Sequence, residues 1–283
     1  MLNIVYLISI IIGISAQNVF KKPYTDRTGG TGVYFFNTLL SFAAMLFFVF
    51  TSKNLQFDKA IIPYAIGFAV TYTLSSVFSV KAISCGSLSL TSLILSYSLM
   101  IPTFYGLIFL KDSVGDGFVP GVVLLVISLL LINKKGDGAN ISFRWILYVF
   151  LAFAGNGFCT VAQKLQQVTF DGAYKNEFMI VALFIVMCTM LVFTLGNERK
   201  GFVHYCKVGW HWAILCGIMN GMVNLFVMLV SSRMPVAIVF PLISAGGIIV
   251  TYIVSKFFYH EKLTKMQLAG FLIGIVSVVF LNL

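Results

Sequence analysis

Charge is scarce in this chain. Only 10% of its residues are Asp, Glu, Lys or Arg, where a soluble globular protein carries about 25%. The hydrophobic share is 59% and the mean hydropathy is +0.98. No water-soluble core could hide that much apolar surface, so the expected solvent is lipid. Acids are scarcest of all. All nine (Asp26, Asp58, Asp112, Asp116, Asp137, Asp171, Glu177, Glu198, Glu261) fall in loops or at the ends of apolar stretches. A carboxylate at membrane depth is a common device for carrying a proton or offsetting a cation. Its absence counts against carriage of polycations or of lipophilic cations.

Catalytic and metal-binding patterns are missing as well. His204, His211 and His260 share no ligand spacing, and GxSxG, HExxH and a glycine-rich phosphate loop do not occur. No enzyme, no metal and no cofactor are therefore expected. The five cysteines (Cys85, Cys159, Cys188, Cys206, Cys216) form no CxxC pair and read as small buried hydrophobes. The net charge of +10 raises the question of nucleic acid. Here the basic residues stand singly or in pairs between apolar stretches, as they do at the ends of membrane spans, so no nucleic-acid partner is expected.

What the sequence does contain is repetition. "FLKDSVGDGFVPGVVLLVISLLLIN" is echoed by "FYHEKLTKMQLAGFLIGIVSVVFLNL", which sets Gly121 on Gly270 and Asp112 on Glu261. "IGISAQNVFKK" likewise overlays "AGNGFCTVAQK", with Gly13 on Gly155 and Lys22 on Lys164. Two copies of one multi-helix unit in an apolar chain are a common construction of membrane transporters.

A helix needs roughly 20 apolar residues to cross the hydrocarbon layer. Charge, Gly/Pro and polar clusters divide the chain into ten such spans, near 2–20, 31–51, 60–80, 87–110, 117–133, 142–162, 178–196, 208–230, 235–258 and 266–283. The expected fold is an all-α integral membrane protein: ten transmembrane helices in two inverted five-helix repeats, 1–133 and 142–283, forming one membrane domain. An odd number of helices per repeat inverts the second copy. The first stretch lacks a basic flank and has a counterpart in the second half, so it reads as part of the fold and not as a leader. Six of the 19 basic residues (Lys53, Lys59, Lys111, Lys164, Lys175, Arg233) fall on the side of the N-terminus and the other thirteen opposite. The positive-inside rule then places both termini outside the cytoplasm. Trp145, Trp210 and Trp212 are expected at the interface as belt residues.

On these residues the chain resembles the EamA-type transporters of the drug/metabolite transporter superfamily. The resemblance rests on the acid, short turn and Gly-bearing last helix of each repeat. Glu261, Lys262, Leu263, Gln267 and Gly270 follow that pattern in the second copy, whereas Lys111, Asp112 and Pro120 depart from it in the first. The resemblance implies a multi-pass transporter of the cell membrane and leaves its cargo open.

The candidate site is read from polar residues inside spans, which are expensive there. Asn220 and Asn224 share a face of the eighth span, and the repeat places Thr71 and Ser75 at equivalent positions on the third, with Tyr72, Ser76 and Ser79 close by. The first and sixth spans add Gln17, Asn18, Asn156, Cys159 and Gln163. Asn37 on the second span, and Tyr97 with Ser98 on the fourth, complete the set. The substrate-binding residues expected are Asn220, Asn224, Thr71, Ser75, Tyr72, Ser79, Tyr97, Asn156, Asn18 and Asn37. The competing reading is that these side chains only bond neighbouring helices, for about 0.6 kcal/mol per contact. Lys21, Lys22 and Lys164 either snorkel to the headgroups or hold an anionic group of the cargo. Pro235 and Pro241 are expected to start and kink the ninth span, as a hinge would require. The partners expected are a small polar or amphipathic solute (an amino acid is one candidate) and the lipid bilayer. A coupling proton is left open, as are monomer and homodimer. The alternative function is proton-coupled export of drugs or cations.

Overall fold

The computed structural model describes residues 2–52, 54–98, 100–109, 115–133, 142–231, 236–258 and 264–280. Among these every regular element is helical. The α-helices are α1 (Leu2–Thr28), α2 (Val33–Thr51), α3 (Ile62–Cys85), α4 (Leu88–Tyr97), α5 (Met100–Phe109), α6 (Phe118–Asn133), α7 (Phe143–Thr169), α8 (Lys175–Asn197), α9 (Phe202–Ser231), α10 (Val236–Phe258) and α11 (Lys265–Phe280). Short 3-10 turns at Lys59–Ile61 and Arg199–Gly201 lead into α3 and α9. Six helical stretches are long and apolar enough to cross a membrane: Ile4–Thr28, Val33–Thr51, Lys59–Cys85, Phe143–Thr169, Lys175–Asn197 and Arg199–Val230. Asp112, Glu261 and Pro235 lie outside the described residues, and Pro241 falls within α10.

Three expectations change. The predicted fourth span, 87–110, is two helices, α4 and α5. Pro102 explains the division: it has no N–H to give the Ser98 carbonyl, and its ring would clash there. Ile101 N takes that carbonyl instead, at 3.0 Å. Trp145 is not a belt residue. It is only 3% exposed, its Nε1 donates to Thr91 Oγ1 at 3.0 Å, and its ring covers Gly86. Of the cysteines, Cys159 and Cys216 are buried as expected, whereas Cys85 is exposed at the end of α3.

The most extensive helix packing joins the first half of the chain to the second: α3 on α7, α1 on α9, α6 on α11, and α2 on both α8 and α9. Lipid offers no hydrophobic drive to bring helices together, so close fit and hydrogen bonds must do it. Gly155 lets α7 press on the backbone of α3; a Cβ there would sit 2.6 Å from Ser75 N and 2.8 Å from Thr71 O. Gly13 on α1 makes room instead for the Val223 and Met222 side chains of α9.

Two helix pairs are clamped at both ends. Ser128 Oγ on α6 donates to Gly270 O on α11 at 2.7 Å, and Ser277 Oγ on α11 donates to Gly121 O on α6, also at 2.7 Å. The late residue of each helix meets the early residue of the other, so α6 and α11 run antiparallel. The pair α2 and α8 does likewise. Glu198, just past α8, accepts from Tyr34 N (3.1 Å) and Phe35 N (2.8 Å) in the first turn of α2. At the other end Glu177 accepts from Gln56 N at 2.9 Å, beyond the close of α2. A carboxylate at a helix N-terminus satisfies free N–H groups and the positive end of the dipole. Burial nevertheless lifts the Glu198 carboxyl above the usual range, against the lowering pull of the Phe35, Tyr34 and Val33 N–H groups and of Lys81.

Candidate functional site

A cavity of about 150 Å³ lies where α1, α3 and α4 meet α7, α9 and α10. Its polar wall is built on helix faces. On α1, Ile14, Gln17, Asn18 and Lys21 fall on one stripe at helical spacing. Shifted by the repeat that sets Gly13 on Gly155, those four positions become Asn156, Cys159, Thr160 and Gln163, all of which line the cavity from α7. From α3 come Tyr72, Ser75 and Ser79, and from α9 Asn220, Val223, Asn224 and Val227. Ser92, Leu95 and Ser96 of α4 face Phe240, Ile243 and Ser244 of α10.

The amides form a ladder across three helices. Gln163 Nε2 donates to Asn224 Oδ1 at 2.7 Å, Asn224 Nδ2 to Asn220 Oδ1 at 3.0 Å, and Asn220 Nδ2 to Gln17 Oε1 at 2.9 Å. The Asn224, Asn220 and Gln17 carbonyls each accept within that chain, which holds the rotamers and leaves hydrogen-bonding capacity on the cavity side. Asn156 Nδ2 donates to Ser98 Oγ at 2.6 Å, tying α7 to the gap between α4 and α5. Ser244 Oγ donates to the Ser96 carbonyl at 2.8 Å. Lys21 Nζ donates to Ser79 Oγ at 3.1 Å.

Seven of the ten residues expected at the site are brought together here: Asn18, Tyr72, Ser75, Ser79, Asn156, Asn220 and Asn224. The other three point elsewhere. Thr71 Oγ1 donates to the Gly67 and Phe68 carbonyls of its own helix. Tyr97 is 1% exposed, with its hydroxyl 3.0 Å from Ser128 Oγ beside α6. Asn37 is fully buried in α2 and donates to Val33 O at 2.9 Å. Sequence reasoning passed over Ser92, Ser96 and Ser244, because serine is common in membrane helices and their spacing carries no signal.

Six helical spans of this length and apolarity among the described residues make this a multi-pass membrane protein. Residues 143–283 match the EamA-like transporter family, and the chain belongs to that family. No curated protein matches the chain in sequence. It is similar to a solved crystal structure with a TM-score of 0.67, covering 98% of this chain and 94% of that one, at 10% identity. Such a likeness shows a shared fold and carries no activity.

Proposed function

We propose that the protein is a secondary transporter of a small polar metabolite in the cell membrane, with ten spans arranged as two inverted five-helix repeats. One observation carries the reading: the first, third and fourth helices of each half supply the cavity wall, and the two first helices do so at matching positions. A site made equally by two repeats can be exposed to either side by rocking one against the other. The antiparallel pairing of α6 with α11 and of α2 with α8 supports the inversion. Pro241, inside α10, is a place where such rocking could bend a helix. The basic-residue bias favours termini outside the cytoplasm.

The cavity also speaks to cargo size. About 150 Å³ is the scale of a site that holds a benzene ring, whereas drug-sized ligands take roughly 300–1,000 Å³. With no acid among the described residues of its wall, the site suits a metabolite better than a cationic drug. The test is solute uptake by purified protein in liposomes, with and without a pH gradient. Uptake should occur and should fall by about tenfold or more in Asn224→Leu, which removes the acceptor of Gln163 and a donor to Asn220. Equal flux in the variant and in wild type would contradict the assignment of this cavity.

A further inference from the structure

Among the described residues that line the cavity, Lys21 is the one basic side chain and none is an acid. Among the described residues the ion pair within reach of α1 is Lys22 with Asp26, at 3.4 Å; Lys21 has no carboxylate of its own. Its ammonium has three N–H donors, and the bond to Ser79 Oγ uses one. Two neighbours on the same wall are also uncommitted. The Asn18 amide, 7% exposed, makes no hydrogen bond among the described residues. The Ser92 hydroxyl, 2% exposed, is buried without a partner. Buried polar groups are seldom left unbonded. Here an ammonium, an amide and a hydroxyl, all able to donate, belong to residues that line one cavity.

The fold does not require that cation. At the equivalent place on α7 the repeat puts Gln163, a neutral side chain that completes the amide ladder at 2.7 Å. Lysine is therefore a departure from the repeat at a point that faces the cavity. An uncompensated charge at membrane depth is costly, and the cost is removed when a ligand supplies the opposite charge.

Resting on the transporter reading, we infer that the cargo is a small organic monocarboxylate whose carboxylate pairs with Lys21 and accepts from Asn18 and Ser92. One lysine matches one negative charge, so the loaded cavity is neutral. A phosphate monoester carries about −1.5 to −2 at neutral pH and would leave negative charge in excess. A zwitterionic amino acid would leave the lysine charge uncancelled overall, and its ammonium would meet no acid. The remaining wall, neutral amides and hydroxyls with Val223, Val227 and Phe240, accepts a short hydroxylated or apolar tail.

The experiment compares near-isosteric probes that differ in charge: L-lactate, lactamide and L-alanine, with acetate, acetamide and inorganic phosphate as minimal members. Full-length protein in detergent is titrated with each at constant ionic strength, reading the melting temperature, and counterflow of labelled lactate is measured in liposomes. Acetate and lactate should stabilise the wild type while the amides, alanine and phosphate do so much less. Lys21→Gln should weaken the carboxylates by about 30-fold or more, as loss of a buried charge partner does, and Lys21→Arg should retain the preference. Equal responses to lactate and lactamide overturn the inference, as does a carboxylate preference that survives Lys21→Gln. No response to any carboxylate overturns it too. Flux of alanine or lactamide without a carboxylate preference would sink the anion site and leave transport standing. Carboxylate binding without flux of any solute would do the reverse.

Discussion

At the scale of single residues, Glu198 sits outside the spans and stitches the end of α8 to the start of α2. Because burial raises its carboxyl, the folded state favours the protonated form. That contribution to stability is fully present below the ordinary carboxylate range and is lost as pH rises through the raised value. The melting temperature of the wild type should therefore carry a downward component with rising pH just above that range, and Glu198→Gln, which has no proton to lose, should lack it. Parallel profiles for the two proteins would contradict the assignment. Asn220 and Asn224 stand out in the sequence because asparagine is expensive in lipid, and both line the cavity. Thr71, Asn37 and Tyr97 turn away from it, because the face a helix turns inward depends on partners that a single chain of letters does not display. Ser92 shows the converse: a common side chain made notable only by the absence of a bonding partner.

At the scale of elements, the apolar runs were legible because the hydrocarbon layer demands about 20 of them per crossing. The helices nevertheless outrun those lengths. Predicted spans 2–20 and 208–230 belong to α1 (Leu2–Thr28) and α9 (Phe202–Ser231), since a helix continues past the lipid wherever charged residues can reach water. The division of the fourth span was written in Pro102, whose consequence depends on how the free Ser98 carbonyl is satisfied. Contact between elements adds a prediction. A side chain at Gly155 would meet backbone atoms of α3, which cannot rotate away. Gly155→Ala should cost about 1–3 kcal/mol of stability and depress transport by separating α3 from α7. The control is Gly67→Ala, where an added Cβ meets nothing within 4 Å; it should leave both measurements near wild type. Indistinguishable Gly155→Ala and Gly67→Ala proteins would contradict the close-packing account of the cavity wall.

At the scale of the molecule, repetition in the sequence is the first guide, and the two segments it matches, on α1 and α7, meet at one cavity. Gly13 and Gly155, matched by letters alone, each admit atoms of the other half, side chains of α9 at Gly13 and backbone of α3 at Gly155. Positions 14, 17, 18 and 21 and their counterparts 156, 159, 160 and 163 then line one space. The packing of α1 on α9 and of α3 on α7 means that neither half encloses the cavity alone. Rocking would have to expose the same wall alternately to the two sides of the membrane.

Cys159 offers a direct measurement of that motion, because it is a native lining residue, 5% exposed. With Cys85, Cys188, Cys206 and Cys216 replaced by alanine, a membrane-impermeant thiol reagent can be applied to oriented proteoliposomes from one side or the other. Labelling of Cys159 from both sides, slowed from both by a bound cargo, is the predicted result. Labelling from one side alone under every condition would contradict alternating access through this cavity.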